Sequence, residues 1–261
     1  MTPNLVKTRA LPHNLRIIRE LVIAEFKLRY QNTFLGYFWT LIKPLMLFGV
    51  IYLVFSVFMR YPVENYAIYL LLGVLIWNFF SEATLIGMDT FINKREIVTK
   101  IYFPRSALVF ASVISSLITL VLNMIIFFVF LAAAGVQPGW EALFFLVYLV
   151  EMFLIAAGVT FFLSALYIHF RDLKHIWEIA LQAGFWLTPI IYPITIVPLE
   201  YHSLIFLNPW ARVIEYSRDI FIRHHVPSLY LNVILALAAV AIFTIGWAFF
   251  KTQERKIAEK L

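Results

Sequence analysis

By residue type and spacing, the set in this sequence that most resembles a metal site is His169, Asp172 and His175. Imidazole and carboxylate groups are common metal ligands, and these residues follow one another at intervals of three. On an α-helix they spread over about 120°, so their side chains would not converge on one ion. Cysteine is absent, which excludes disulfides and thiolate metal sites. We therefore predict no metal site.

The sequence also lacks the motifs of nucleotide-binding and hydrolytic enzymes. None of its nine glycines is followed by Lys, so a phosphate-binding P-loop is absent. It contains no Gly-x-Ser-x-Gly, no His-Glu-x-x-His and no dinucleotide fingerprint. We expect this chain to carry no catalytic and no cofactor-binding residues.

Glu151 is the one charged residue well inside a clean apolar segment, residues 142–168. A carboxylate at membrane depth usually has a function, such as carrying a proton. A proton relay needs a second ionisable group at comparable depth, and the sequence offers none, because Glu82 and Asp89 lie near the end of their segment. A hydrogen-bonded or protonated structural role is therefore favoured over proton coupling.

The composition is that of an integral membrane protein. Of 261 residues, 62% are apolar and 14% are charged, against about 45–50% and 25% in a soluble domain. The mean hydropathy is +0.86, and a soluble fold of this size could not hide so much hydrocarbon. The net charge of +6 comes from short basic segments between apolar runs. That pattern indicates membrane topology and gives no reason to expect a nucleic-acid partner.

Six apolar segments predict an all-α membrane protein with six transmembrane helices, since a bilayer core needs roughly 20 residues of helix. The predicted spans are residues 37–59, 66–87, 107–134, 142–168, 176–191 and 229–250, of which the fifth is short. Seventeen of the 21 Lys and Arg residues then fall on one side of the membrane. The positive-inside rule places both termini in the cytoplasm.

Residues 14–30 predict an amphipathic helix in the cytoplasmic interface. At helical spacing, one side holds Arg16, Arg19, Glu20 and Lys27, and the other holds Leu15, Ile18, Val22 and Phe26. Glu25 and Arg29 form an i,i+4 pair on the apolar side. Two interpretations remain open: a lipid-surface anchor with a local ion pair, or a face that contacts a cytoplasmic partner protein.

Two further segments are neither simple spans nor simple loops. Residues 91–104, between spans two and three, are too polar for lipid and too apolar for a solvated linker. They predict a short cytoplasmic helix against the membrane or a partner; a charged loop that only sets topology is the alternative. Residues 189–227 hold five of the eleven prolines and many apolar residues. Because proline interrupts helices, we predict two short re-entrant helices within residues 192–227.

The second of these helices has a recognisable start. Asn208 and Pro209 are typical of the N-cap and first position of a helix, which predicts a helix that continues to Phe221. Its charged residues allow two pairs at i,i+3, Arg212 with Glu215 and Glu215 with Arg218. Such pairs would neutralise one another within the protein, an interpretation favoured over direct substrate binding.

Several stretches, taken in order, resemble the permease subunits of ABC polysaccharide exporters of the type-2 export family. The stretches nearest the N-terminus are Arg29-Tyr30 through Leu35-Gly36-Tyr37, together with Trp39 and Lys43-Pro44. The next stretch is Lys100-Ile101-Tyr102-Phe103-Pro104-Arg105. The strongest are Thr188-Pro189-Ile190-Ile191-Tyr192-Pro193, Leu207-Asn208-Pro209-Trp210 and Glu215-Tyr216-Ser217-Arg218-Asp219. The likeness extends over essentially the whole chain as one permease domain, 1–261.

The resemblance implies a homodimer whose subunits enclose a channel in the bacterial inner membrane, served by two separate ATPase subunits that bind ATP and magnesium. The cargo would be a lipid-linked polysaccharide, with O-antigen the leading candidate and teichoic acid or capsule the alternatives. The implied ATPase-coupling residues are Arg16, Arg19, Glu25, Arg29, Lys94, Arg95, Glu96, Lys100, Arg171 and Asp172. The implied channel and gate residues are Tyr52, Phe55, Trp186, Pro189, Tyr192, Pro193, Trp210, Arg212 and Glu215.

Three other classes are less favoured. A compact ABC drug exporter is the nearest, because the outer loops leave no room for an extracellular domain. An ion-coupled secondary transporter would need internal repeats and ion sites, and only Glu151 offers itself. A membrane-embedded transferase would need converging acid, base or metal groups, which the sequence does not provide.

Overall fold

The structure is a computed structural model that describes residues 13–30, 36–60, 63, 65–100 and 103–260. Over these residues every regular element is helical. The α-helices are α1 (His13–Tyr30), α2 (Trp39–Tyr52), α3 (Tyr66–Asn93), α4 (Arg95–Lys100), α5 (Ser106–Ala133), α6 (Phe145–Tyr167), α7 (Leu173–Leu187), α8 (Leu199–Ile205), α9 (Pro209–Phe221) and α10 (Leu229–Lys260). A π-helical turn, Leu53–Phe58, extends α2, and short 3₁₀ turns occupy Gly36–Phe38, Trp140–Phe144 and Ile194–Ile196.

Five helical segments within the described ranges are long and apolar enough to cross a membrane. They are Trp39–Phe58, Tyr66–Asn93, Ser106–Ala133, Trp140–Tyr167 and Leu229–Glu254. They correspond to five of the six predicted spans, and the prediction of an all-helical membrane protein is confirmed at this level.

The remaining predicted span, residues 176–191, overlaps α7, which is short, as the sequence indicates. Its fifteen residues rise about 22 Å, against a bilayer core of about 30 Å. The helix ends at Leu187 because a residue before proline avoids the α conformation, and Thr188 accordingly has ψ of 140°. A six-span topology therefore stays a prediction.

Helix α3 is at the centre of the bundle. In its most apolar window 72% of the residues are buried, against 17% for the span that contains α2 and 22% for α10. Helices α5, α6, α7 and α9 all pack directly against α3. The outer helices leave large apolar faces exposed, as expected when the surrounding solvent is lipid.

Helices α6 and α10 cross at two glycines that bring their backbones into contact. A Cβ atom on Gly246 would lie 2.0 Å from the backbone oxygen of Gly158, and one on Gly158 would lie 2.5 Å from the backbone oxygen of Ile242. Small residues at such crossings let transmembrane helices approach closely, and dispersion contacts then stabilise the pair. This crossing fixes α10 against the bundle.

We expect Gly246→Ala to destabilise the protein, because the new methyl group meets backbone that cannot rotate away. Overpacking of this kind costs about 1–3 kcal/mol, so the thermal unfolding midpoint of the detergent-solubilised chain should fall. Gly49→Ala is the matched control, since a Cβ on Gly49 has no atom within 4 Å. Equal midpoints for the two variants would contradict the close crossing.

Helix α1 packs against α5 and largely confirms the predicted division of its faces. Ile18, Val22 and Phe26 are partly buried, whereas the charged residues Arg16, Arg19, Glu20 and Lys27 are exposed. Leu15, predicted on the apolar side, is 48% exposed. Glu25 lies on the buried side, as the spacing predicts.

Candidate functional site

Side chains from two helices support the non-helical turn 188–193, which lies between α7 and α8. Pro189 and Pro193 prevent the chain from continuing as a helix, and a 3₁₀ turn and α8 follow before α9 begins. Residues Thr188 to Ile191 are buried. Buried backbone carbonyls must find hydrogen-bond donors, and these come from α3 and α9.

Arg218 of α9 supplies most of those donors. Its side chain is fully buried. The guanidinium donates to the backbone oxygens of Pro189 at 2.5 Å and Ile190 at 2.7 Å. It also donates to the backbone oxygen of Tyr69 in α3, at 3.1 and 3.2 Å. One planar cation thus joins α9, the turn and α3, a geometry that the forked guanidinium permits and an ammonium does not.

Glu215 and Tyr69 complete the surroundings of this cation. A carboxylate oxygen of Glu215 lies 2.6 Å from Arg218, and the Tyr69 hydroxyl accepts from Arg218 at 2.6 Å. The guanidinium carbon is 3.4 Å from the centre of the Tyr69 ring. The same hydroxyl lies 3.0 Å from the backbone oxygen of Tyr192. A buried charge persists only when it is paired and hydrogen-bonded in this way.

One of the two predicted ion pairs of α9 forms and the other does not. Glu215 pairs with Arg218, and its second oxygen lies 3.3 Å from Arg223. Arg212 turns away from Glu215 and donates to the backbone oxygen of Phe206 and to the Tyr216 hydroxyl. The carbonyl groups that end α8 compete for Arg212, which the i,i+3 spacing alone could not reveal.

Helix α9 begins as predicted. Asn208 is its N-cap, and the side-chain oxygen accepts from the backbone N–H of Trp210 at 3.0 Å. The Asn208 amide group also donates to the Thr188 hydroxyl at 3.0 Å, so the cap itself is tied to the turn. The prediction of a helix from Pro209 to Phe221 is confirmed, while re-entry into the membrane is untested.

One face of α3 is built to receive the turn. Tyr66, Tyr69 and Gly73 recur at helical spacing, and the Tyr66 hydroxyl donates to the backbone oxygen of Ile191 at 3.0 Å. A Cβ on Gly73 would lie 2.7 Å from a guanidinium nitrogen of Arg218. Gly73 is therefore required by the space that the guanidinium occupies. The sequence analysis did not single out these three residues.

A cleft of about 610 Å³ lies between α2, α3 and α7. Its aromatic lining residues are Phe55, Trp77, Phe185 and Trp186, and its polar ones are Asn78, Ser81, Glu178 and Gln182. Each polar pair is one helical turn apart, so short polar rows face the cleft from α3 and from α7. Polar groups inside apolar helices typically mark a path for polar cargo.

The predicted channel and gate residues fall in different places. Phe55 and Trp186 line the cleft, whereas Tyr52 stacks between Phe48 and Tyr66. The Tyr192 hydroxyl bonds to the backbone oxygens of Trp186 and Leu187, at the end of α7. The others belong to the surroundings of the turn or to α9: Pro189, Pro193, Trp210, Arg212 and Glu215.

The predicted cytoplasmic segments meet at the other end of α3. Glu25 of α1 lies 2.9 Å from Lys94, the residue between α3 and α4, and the two side chains are 8% and 18% exposed. Lys174, at the start of α7, lies 2.5 Å from Asp89 of α3. This hydrogen bond raises the pKa of Lys174, so its ammonium stays charged.

The predicted coupling residues divide into exposed and buried groups. Those exposed are Arg16, Arg19, Arg95, Glu96, Arg171 and Asp172. Glu25 and Lys94 face each other within the protein. The side chains of Arg29 and Lys100 lie outside the described part of the structure. The opposite charges at Asp89 and Lys174, both near predicted membrane boundaries, were a signal that the sequence analysis did not use.

The remaining charged candidates are less organised. No three His, Cys, Asp or Glu residues within the described ranges converge as metal ligands. Glu151 is 3% exposed, and neither carboxylate oxygen has a hydrogen-bond partner among the described residues. The hydrogen-bonded role for Glu151 is thus not seen there, and a protonated role stays a prediction.

Comparison with known proteins assigns the chain to a family. A family model described as ABC-2 type transporter matches residues 17–222. The chain belongs to the ABC-2 type transporter family. The matched range includes α1 from residue 17 onwards, the whole of α3, the residues that line the cleft, the turn and α9. It confirms the family resemblance inferred from the sequence motifs.

Curated relatives of this ABC-2 protein are permeases and transport proteins of similar length. The O-antigen export system permease protein RfbA of Myxococcus xanthus is 30% identical over 250 residues, covering 94% of this chain and 95% of the relative. The protein of the same name from Klebsiella pneumoniae is 26% identical, with 96% and 98% covered. The polysialic acid transport protein KpsM of Escherichia coli is 20% identical, with 91% and 93% covered.

We expect Arg218→Met to destabilise this ABC-2 chain strongly. It removes the donors to the turn and leaves Glu215 buried without its close partner, a change that costs about 3–5 kcal/mol. Arg218→Lys should recover only part of the loss, because an ammonium cannot reach the same carbonyls. Arg171→Met, at an exposed arginine, is the control. Thermal unfolding in detergent measures all three, and a wild-type midpoint for Arg218→Met would contradict the assigned role.

Proposed function

We propose that this chain is the channel-forming permease of an ATP-driven exporter that carries a lipid-linked polysaccharide, with O-antigen as the first candidate. Family membership and the names of the relatives support export of a glycan. The relative named for polysialic acid transport supports a capsular polysaccharide as the second candidate.

The cleft, whose mostly apolar lining includes short rows of polar side chains, is the observation that carries this proposal. Sugar rings present C–H faces that pack on aromatic rings, and Phe55, Trp77 and Phe185 offer such rings. Sugar hydroxyls need hydrogen-bond partners when they leave water, and Asn78, Ser81 and Gln182 offer amide and hydroxyl groups. A glycan chain finds both kinds of contact along this wall.

A second copy of the chain completes the conduit in this proposal. The cleft is open on one side, and the span containing α2 is the least buried of the five. Helix α7 exposes Ile176, Ile179 and Leu187 next to the cleft. In the homodimer these faces meet across the symmetry axis, and the two clefts join.

The membrane arrangement follows from the same proposal. Helix α7 together with the turn 188–193 forms the sixth span, and α8 and α9 re-enter from the outer side to close the conduit there. Both termini then lie in the cytoplasm of a bacterium, with the chain in its inner membrane. Two ABC ATPase subunits, which bind ATP and magnesium, contact the exposed residues of α1, α4 and the segment before α7.

Filling the cleft tests the proposed conduit. We expect Gln182→Trp to abolish glycan export in a bacterium lacking the native gene, because the indole occupies the polar side of the cleft. Leu237→Trp is the matched control, since Leu237 is 65% exposed on α10, away from the cleft. Surface glycan is quantified on intact cells, and membrane levels of each variant are measured in parallel. Full export by Gln182→Trp would contradict the conduit.

The cargo is tested by the intermediate that accumulates when export stops. Deletion of the gene should leave a glycan inside the cell that remains attached to its lipid. Mass spectrometry of that lipid-linked glycan distinguishes O-antigen from capsular polysaccharide or teichoic acid.

Purification of the chain with its ABC ATPase tests the energy source. Export from membrane vesicles that continues without ATP, or that follows an ion gradient, would contradict ATP-driven transport.

A further inference from the structure

Glu25 and Lys94 form an ion pair within the protein, although charged residues in these segments suggest contact with a partner. The carboxylate and the ammonium are 2.9 Å apart, and Glu25 is almost fully buried. The Lys94 side chain is 18% exposed, so both charges are more shielded than those of Arg95 and Glu96 of α4, which are exposed. The pair joins α1 to the junction between α3 and α4.

Lys94 occupies a break between two nearly continuous helices. Its backbone has φ of −113° and ψ of 26°, so α3 ends there and α4 begins at the next residue. Val98 anchors α4 in the hydrophobic core. Glu25 pairs with Lys94, and α4 follows directly after Lys94. Movement of α1 or of α4 would therefore act on α3 at Lys94.

Helix α3 continues from this junction to the turn without a structural break. Its 28 residues include no proline, and Tyr69 lies about 38 Å from Lys94 along the helix axis. At that end, Tyr69 contacts Arg218 and the backbone oxygen of Tyr192. One continuous helix thus has an ion pair to α1 at one end and contacts with the turn at the other.

We propose that α3 transmits movement of α1 to the turn 188–193, with Glu25 and Lys94 as the positioning residues that connect α1 to α3. Packed, rigid secondary-structure elements that contact both sites can carry energetic coupling over such distances. The inference rests on the proposed function, because it assigns the origin of the movement to the ATPase partner. It adds a specific path and a specific ion pair to that function.

The absence of cysteine from the chain provides a direct reporter. Thr195 is exposed in the 3₁₀ turn that follows residue 193, and Thr195→Cys introduces one reactive thiol there. The chain is purified with its ATPase and reconstituted in lipid vesicles, and the rate of labelling by a membrane-impermeant maleimide is measured with and without ATP. We expect ATP to change this rate in the Thr195→Cys protein.

Breaking the ion pair should abolish that change. In Thr195→Cys with Lys94→Met, or with Glu25→Gln, we expect the labelling rate with ATP to equal the rate without ATP, while ATP hydrolysis continues. The charge swap Glu25→Lys with Lys94→Glu should restore the response, because the pair forms again with reversed signs. If these substitutions acted only by destabilising the fold, the yield of folded protein would fall. ATP hydrolysis and the ATP-dependent change in labelling rate would then be lost together. Lys251→Met, which removes an exposed ion pair with Glu254 on α10, is the matched control and should respond like the parent.

The possible failures are distinguishable. A parent Thr195→Cys protein that shows no ATP response contradicts the proposed ATP-driven function and, with it, this inference. An ATP response that persists in Lys94→Met contradicts only the path through the ion pair. If Lys94→Met fails to fold, the charge swap decides the question, since a swapped protein that folds and hydrolyses ATP but does not respond also overturns the path.

Discussion

The backbone carbonyls of the turn 188–193 are the constraint on which the rest of the structure depends. Proline prevents the turn from satisfying them by forming a helix, and the backbone N–H groups of the neighbouring helices are already bonded within those helices. Four consecutive carbonyls, from residue 189 to residue 192, are instead bonded by Arg218, Tyr66 and Tyr69. A buried arginine is tolerable only because its donors are used in this way and Glu215 balances its charge. The positions of α3, α9 and the turn are consequently fixed together.

Much of this arrangement could be predicted from the sequence. Five apolar segments became the five candidate spans, and Asn208–Pro209 became the start of α9. The pairing of Glu215 with Arg218 followed from helical spacing. These features are local: each depends on residues a few positions apart, where periodicity and capping chemistry decide the outcome.

The features that the sequence did not reveal join residues far apart in the chain. Glu25 and Lys94 are 69 residues apart, and Arg218 and Tyr69 are 149 residues apart. Gly73 looked like any glycine in a span, yet its missing side chain makes room for the guanidinium. Helical spacing also suggested a partner for Arg212, but the free carbonyl of Phe206 binds it instead. Such contacts depend on which helices become neighbours, and one chain's periodicity carries no information about that choice.

The helices differ in how firmly they are held, and that difference favours movement of some elements over others. Helix α9 is attached to α3 by a buried cation that is costly to expose, so these two helices and the turn behave as one unit. By contrast, the span that contains α2 is the least buried of the five candidate spans, and it forms one wall of the cleft. A tilt of α3 would therefore carry the turn and α9 with it, and it would alter the cleft that α3 lines together with α2 and α7. The width of the cleft and the position of the turn would then change together.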